Sequence, residues 1–309
     1  MKVAVVGAGV MGPGIAQVFA TGGHEVTITD IVPEALDRGM ANIRESLDQL
    51  EEAGLLAERP AAIISRLRTT SSLAEAAGEA RLVVEAVPER LDIKEKVYHE
   101  LDGVCPQEAV VVSNTSSLPL PLLFPDFRPG RFFVAHFFNP PPVMPLVELV
   151  TDARTDQRAV AWLRDVLEGC GKKPIVLKSF KAGFLVNRLQ TAMLREASHL
   201  VESGVVSMVD LDLAVRAAIG FKSVWEGAFE TMDFIGLDTV ALACRVIFPD
   251  LDASRDVPPM IEEKVRAGQL GWKSGRGFYD YQSDASREAA RRREAALIEQ
   301  LKLWKKFTD

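Results

Sequence analysis

The stretch Val3-Ala4-Val5-Val6-Gly7-Ala8-Gly9-Val10-Met11-Gly12, followed by Val26-Thr27-Ile28-Thr29-Asp30, decides the fold. A β-branched run ends on glycines at GxGxxG spacing, and Gly14–Ala20 continues as a helix. Clustered glycines alone are a weak signal, because Gly and Ala often gather in turns. Between a strand and a helix each has a task. Gly7 permits the tight turn, Gly9 lets a pyrophosphate approach the backbone, and Gly12 lets helix and strand pack closely. The diphosphate would sit on the helix N-terminus, where free N–H groups and the dipole favour negative charge. Asp30 ends the second strand, 18 residues after Gly12. A carboxylate there accepts hydrogen bonds from both hydroxyls of the adenine ribose and repels a 2′-phosphate. NAD rather than NADP is the expected cofactor, held by Gly7, Gly9, Val10, Met11, Gly12 and Asp30.

Downstream, Leu82–Val87, Val110–Ser113, Phe132–Ala135, Leu146–Val150 and Ile175–Leu177 read as further strands. Glu34–Glu52, Arg90–Leu101 and Asp156–Cys170 read as helices between some of them. Such alternation implies an α/β, Rossmann-type, doubly wound and mostly parallel sheet. After about Lys178 the pattern changes. Val186, Leu189, Met193, Ala197 and Leu200 fall at helical spacing, Gly204 is a natural stop, and Ser207 with Asp210 can cap the next helix. The expected organisation is an NAD-binding domain over residues 1–178 and a mainly α-helical C-terminal domain over 179–309.

The 309 residues suffice for two domains, and 48% hydrophobic with 26% charged residues is ordinary for a globular protein. A net charge of −7 gives no support to nucleic-acid binding. Cys105, Cys170 and Cys244 are far apart with no metal or CxxC spacing, so reduced thiols, no metal site and a cytoplasmic protein are expected. No apolar run is long enough to span a membrane. The tail Ser286–Phe307 carries Arg291, Arg292 and Arg293, but Glu288, Glu294 and Glu299 are interspersed, and Leu297, Leu301 and Trp304 form one apolar stripe. It reads as a docked surface helix rather than a polyanion site.

Substrate chemistry is expected at the C-terminal ends of the strands. Three polar clusters stand there: Glu85 and Glu89 with Lys94 in the next helix, Ser113-Asn114-Thr115-Ser116-Ser117, and His136-Phe137-Phe138-Asn139. His24, His99 and His199 are most simply surface residues. His136 ends an apolar strand, and Pro140-Pro141-Pro142 should reverse the chain so that Leu146–Val150 returns beside that strand. Glu148 would then approach His136, fix its tautomer and raise its basicity. From the residues alone, a merely structural His–Glu pair stays open.

These motifs resemble the 3-hydroxyacyl-CoA dehydrogenases. The resemblance spans nearly the whole chain, through Val84-Glu85-Ala86-Val87-Pro88-Glu89, Ser113–Ser117, His136–Pro140, Gly183-Phe184-Leu185-Val186-Asn187-Arg188 and Gly271–Tyr279. It implies reversible NAD-dependent oxidation of the 3-hydroxyl of an (S)-3-hydroxyacyl-CoA, with a place in fatty acid metabolism. His136 would take the hydroxyl proton and Glu148 would orient it. Ser116 and Asn187 would hold the reacting oxygen, and Asn139 would support the site. Glu89, Lys94 and Asn114 would contact the cofactor. With Asn187 in the second domain, the resemblance places the site between domains, and it implies a homodimer formed through the helical domain.

Three positions depart from the family pattern. Ala182 stands where a proline is common, Gly227-Ala228-Phe229-Glu230 replaces Gly-Pro-Phe-Glu, and Asp48, Glu51 and Glu52 occupy a helical segment often rich in lysine. Gln49–Gly54, Ala182–Gln190 and Phe229–Met232 look like a sister group, the L-gulonate 3-dehydrogenases and the λ-crystallins similar to them. A free 3-hydroxy acid is therefore the alternative substrate, and a non-catalytic NAD-binding structural protein is a remote one.

Overall fold

The computed structural model describes residues 1–119, 124 and 126–308, with the side chains at 285, 287, 290, 291 and 308 outside the description, Arg291 of the basic cluster among them. The chain divides into two compact units, residues 1–185 with 296–307, and residues 186–295. The division falls after Leu185 rather than after Lys178. Phe184 is the reason: its ring is buried with Val134 and Val150 of the first unit.

The first unit is built on eight strands: β1 (Lys2–Val6), β2 (Glu25–Thr29), β3 (Leu67–Thr70), β4 (Leu82–Glu85), β5 (Val110–Ser113), β6 (Phe132–Phe137), β7 (Leu146–Val150) and β8 (Lys173–Leu177). They hydrogen-bond in the order β3-β2-β1-β4-β5-β6-β7-β8. All neighbours are parallel except β6 and β7, which are antiparallel. Both faces of the sheet are covered, so the central strands read as continuous apolar runs rather than alternating ones. In β1, Val3 and Val5 join a core with Ile15 and Phe19 of α1 (Gly12–Thr21) and Ile43 and Leu47 of α2 (Pro33–Glu52). Ala4 and Val6 face a second core with Ala76 of α3 (Leu73–Ala77) and Tyr98 and Leu101 of α4 (Leu91–Val104).

Strand β3 has no counterpart in the sequence reading. Its four residues, Leu67-Arg68-Thr69-Thr70, bury only Leu67 fully, so it lies at the sheet edge without an apolar run to announce it.

The second unit is helical, as the sequence pattern requires. It begins with the helix Val186–Glu202, and the Ser207 hydroxyl accepts the Asp210 N–H at 3.1 Å to cap Met208–Ala214. Its β-structure among the described residues is limited to isolated bridges at Gly271–Arg276 and Arg276–Asp280. The tail helix Asp284–Thr308 returns to the first unit, where Leu297, Ile298 and Leu301 pack on Leu50, Leu55, Leu56 and Val143. Among the described residues, no helix is long and apolar enough to cross a membrane.

The proline turn between β6 and β7 is tied down by Lys172, a buried residue whose Nζ donates to Pro141 O at 2.6 Å and Met144 O at 3.0 Å. Burial lowers its pKa to about 8. Between that value and an unfolded value near 10.4, the unfolded chain keeps a proton that the native chain has released, so the lysine's contribution to stability rises with pH by up to about 3 kcal/mol. Cys170, pushed up to about 11 by burial, acts with the opposite sign over the same range. Comparing wild type with Lys172→Met in urea at pH 7 and pH 10, both in a Cys170→Ala background, isolates the lysine. The wild type should gain on the variant as pH rises, and a constant difference would show that Lys172 does not titrate as stated.

Candidate active site

The loop between β1 and α1 carries its glycines for the physical reasons the spacing implies. Gly7 has φ +108°, and a Cβ there would lie 2.7 Å from Ala86 O. A Cβ on Gly12 would lie 1.8 Å from Gly7 O. A Cβ on Gly9 would meet nothing within 4 Å, so the backbone there is open to a ligand. Met11 caps α1 without a side-chain hydrogen bond, which leaves the helix N-terminus to an anion. Val10 is exposed beside it.

Asp30 reaches back over this loop. Its Oδ2 accepts the Ala8 N–H at 2.7 Å and its Oδ1 accepts the Val32 N–H at 2.9 Å. Each oxygen keeps a lone pair for a ribose hydroxyl. The donor set fits NAD. Asp30→Ala should weaken NAD binding by about tenfold or more, since hydrogen bonds to a charged group contribute about 1.5–3 kcal/mol, and should erode the preference over NADP. Titrating both nucleotides into variant and wild type checks this, and an intact preference would remove Asp30 from selectivity.

The antiparallel register sets His136 directly across from Glu148. Their side chains meet at 2.8 Å between Nδ1 and Oε2, with His136 5% and Glu148 0% exposed. A carboxylate only accepts, so the pair places the proton on Nδ1 and leaves Nε2 for proton transfer. The second carboxylate oxygen accepts the Leu185 N–H at 3.0 Å. That contact follows from an unusual backbone: Phe184 has φ +52°, a conformation disfavoured for a bulky residue. The Phe184 ring is locked against His136 at 5.4 Å between centroids, edge to face, and Phe138 contacts the imidazole from 4.6 Å. In the sequence, Gly183-Phe184-Leu185 stands as a motif with no role evident for Phe184 and Leu185. Here they wall the imidazole and fix its carboxylate.

A second network sits one strand away. Glu85 ends β4, wholly buried, beside Ser113 in register on β5. Its carboxylate accepts from Lys94 Nζ at 2.7 Å, Tyr98 Oη at 2.7 Å, Ser113 Oγ at 2.6 Å and Val87 N at 2.8 Å. Burial, then the Glu85 charge, push the Tyr98 phenol far above its ordinary pKa. Lys94 also pairs with Glu89 at 3.3 Å, and Glu89 Oε1 accepts from Thr115 Oγ1 and from the Ser116 N–H at 3.1 Å. Glu89 and Lys94 therefore hold the loop that carries Ser116, which is itself exposed at the carboxyl end of β5. Asn114 pins this loop to β6 through Oδ1, which accepts the Phe137 N–H at 2.8 Å. Asn139 is exposed just after β6, and Asn187 is the second residue of the helix opening the second unit. His99 and His199 are exposed, as the sequence suggests, whereas His24 is half-buried.

A glycine loop under an open helix N-terminus, an acidic residue for ribose, and a buried imidazole–carboxylate pair at the same sheet edge define an NAD-dependent oxidoreductase. The model of the 3-hydroxyacyl-CoA dehydrogenase NAD-binding domain matches residues 2–180, and that of the family's C-terminal domain matches 183–281. The chain belongs to the 3-hydroxyacyl-CoA dehydrogenase family. It is 38% identical over 283 residues to 3-hydroxybutyryl-CoA dehydrogenase of Mycobacterium tuberculosis, covering 91% of this chain and 98% of the relative. It is 35% identical over 298 residues to 5-formyl-3-hydroxy-2-methylpyridine 4-carboxylate 5-dehydrogenase of Mesorhizobium japonicum, covering 96% of each. The crystal structure of an enzyme of that last name, described as an NAD+-dependent dismutase, superposes with a TM-score of 0.92 at 33% identity and 98% coverage of both chains.

Proposed function

We propose that the chain oxidises the 3-hydroxyl of a 3-hydroxyacyl-CoA to the 3-oxo thioester, with His136 as general base. The observation that carries this reading is the buried His136–Glu148 contact of 2.8 Å, which leaves one imidazole nitrogen for the substrate. NAD, held by the Gly7–Gly12 loop and Asp30, would supply the hydride acceptor for carbon 3. His136 Nε2 takes the hydroxyl proton as the C–O bond becomes a carbonyl, and Glu148 stabilises the imidazolium that forms. Ser116 and Asn187 carry hydrogen bonds to the reacting oxygen by family resemblance, and Asn139 supports the pocket. The network of Glu85, Lys94 and Glu89 supports this reading by fixing the Ser116 backbone.

A compact carboxylate without CoA is the second reading, and one observation favours it. The family model ends at residue 281, the matched 3-hydroxybutyryl-CoA dehydrogenase covers 91% of the chain, and the pyridine-carboxylate enzyme covers 96%. What lies beyond residue 281 includes the docked tail helix Asp284–Thr308. Asp48, Glu51 and Glu52 are exposed and so do not decide between the two. NADH consumption with acetoacetyl-CoA tests the first reading. No turnover there, alongside turnover of free 3-oxo or aldehyde acids, would replace it with the second.

A homodimer formed through the second unit belongs to the same proposal. Among its described residues no hydrophobic side chain is buried, while Phe221, Phe229, Phe234, Val246 and Phe248 are each more than 60% exposed, at 76%, 82%, 79%, 76% and 67%. Patches of this kind mark protein interfaces. Light scattering should give twice the chain mass; a monomer would overturn the proposal.

A further inference from the structure

The Lys172 ammonium is a buried cation with no carboxylate partner among the described residues. Two backbone carbonyls take two of its three hydrogens, Pro141 O at 2.6 Å and Met144 O at 3.0 Å. The third has no acceptor among the described residues. Lys172 lines a cavity of about 80 Å³ within the first unit. Gln17 of α1, 1% exposed, lines the same cavity, and its buried Nε2 has no hydrogen-bond acceptor among the described residues. Lys305 and Thr21, both exposed, stand at its rim. Apart from the Cys170 thiol and Gly171, the other walls are apolar, with Val18, Leu50, Leu55, Leu56, Val143 and Leu301 among them.

A buried charge without a counter-ion and a buried amide without an acceptor are each costly, and here they share one cavity. No carboxylate lines it, and Lys305 adds a second positive charge. One anionic group would satisfy the ammonium and the amide together. The volume exceeds what a single water needs, about 10–15 Å³, and the aliphatic walls suit a short hydrocarbon chain. An inorganic dianion would leave those walls against charged oxygen.

We propose that this cavity binds a short-chain monocarboxylate, its head group on Lys172 and Gln17 and its carbon chain against Leu50, Leu56 and Leu301. The site is separate from the His136–Glu148 pair and does not depend on how the substrate is read. It is completed by Leu301 and Lys305 of the tail helix, which lie beyond the matched family domains. A ligand there would lie beside the turn joining the strands of His136 and Glu148, because Lys172 holds both carbonyls of that turn.

Calorimetric titration of the NADH-saturated protein with sodium propionate at pH 7 tests the proposal, with sodium sulfate in parallel. Saturable binding of one propionate per chain is expected, with sulfate weaker. Gln17→Glu places an internal carboxylate in the cavity that Lys172 lines. It should raise the melting temperature and weaken propionate by about tenfold or more, a charge-assisted hydrogen bond being worth about 1.5–3 kcal/mol. Lys305→Ala, an exposed change, should weaken propionate while leaving NADH affinity intact. Absence of saturable binding in the wild type overturns the site. Unchanged propionate affinity in both variants does the same. Sulfate binding as tightly as propionate overturns the carboxylate assignment.

Discussion

His136→Gln is expected to lower kcat/KM by about 10²–10⁴-fold, the range that general acid–base groups contribute, with NAD affinity nearly unchanged. Glutamine is the informative replacement because its amide can still donate to Glu148. Alanine would leave a wholly buried carboxylate without its imidazole partner, and its effect would mix lost catalysis with lost stability. The nucleotide loop lies at β1 and β2, whereas His136 is on β6, so cofactor binding should not register the change. Steady-state kinetics, NADH titration and thermal melts on the purified variant separate these effects. A kcat/KM equal to wild type, at unchanged stability, would remove His136 from proton transfer.

Much of this arrangement was legible in the sequence because its signals are local. The GxGxxG spacing, the β-branched runs and Asp30 each report a conformation or a contact made within a few residues. The His136–Glu148 pair was legible for a topological reason: three prolines after a strand reverse the chain, and the facing register follows. What the sequence hid depends on packing across the sheet. Glu85 and Ser113 are 28 residues apart, and only the parallel register of β4 and β5 makes them neighbours. Lys94 reads as a cofactor contact by resemblance, and its place between two carboxylates, 1% exposed, is visible only in the fold. Strand β3 was missed because an edge strand with one buried residue has no periodicity to detect. The tail helix was correctly read as docked, but its seat against Leu50 and Val143 required the fold.

Glu85→Ala is the substitution expected to cost the most stability, about 3–5 kcal/mol, the range for breaking a buried ion pair from one side. Its carboxylate accepts four hydrogen bonds, from Lys94, Tyr98, Ser113 and the Val87 N–H. Alanine removes the nearer and fully buried counter-charge to Lys94, leaving Glu89, which is at 3.3 Å and 40% exposed in its side chain. Two hydroxyls and one amide lose their acceptor at the same time. The loss should also reach the Ser116 loop, because Lys94 restrains Glu89 and Glu89 holds the Ser116 N–H. Urea denaturation followed at Trp162, which packs against the sheet core, in a background with Trp225, Trp272 and Trp304 replaced by phenylalanine, reports the unfolding of this unit. Replacing the pair together, Glu85→Leu with Lys94→Met, removes both charges and should recover much of the loss, as is common when a buried pair gives way to apolar groups. Additive single and double effects, or a Glu85→Ala cost below about 1 kcal/mol, would mean that the network holds the loop by shape and that its charges contribute little.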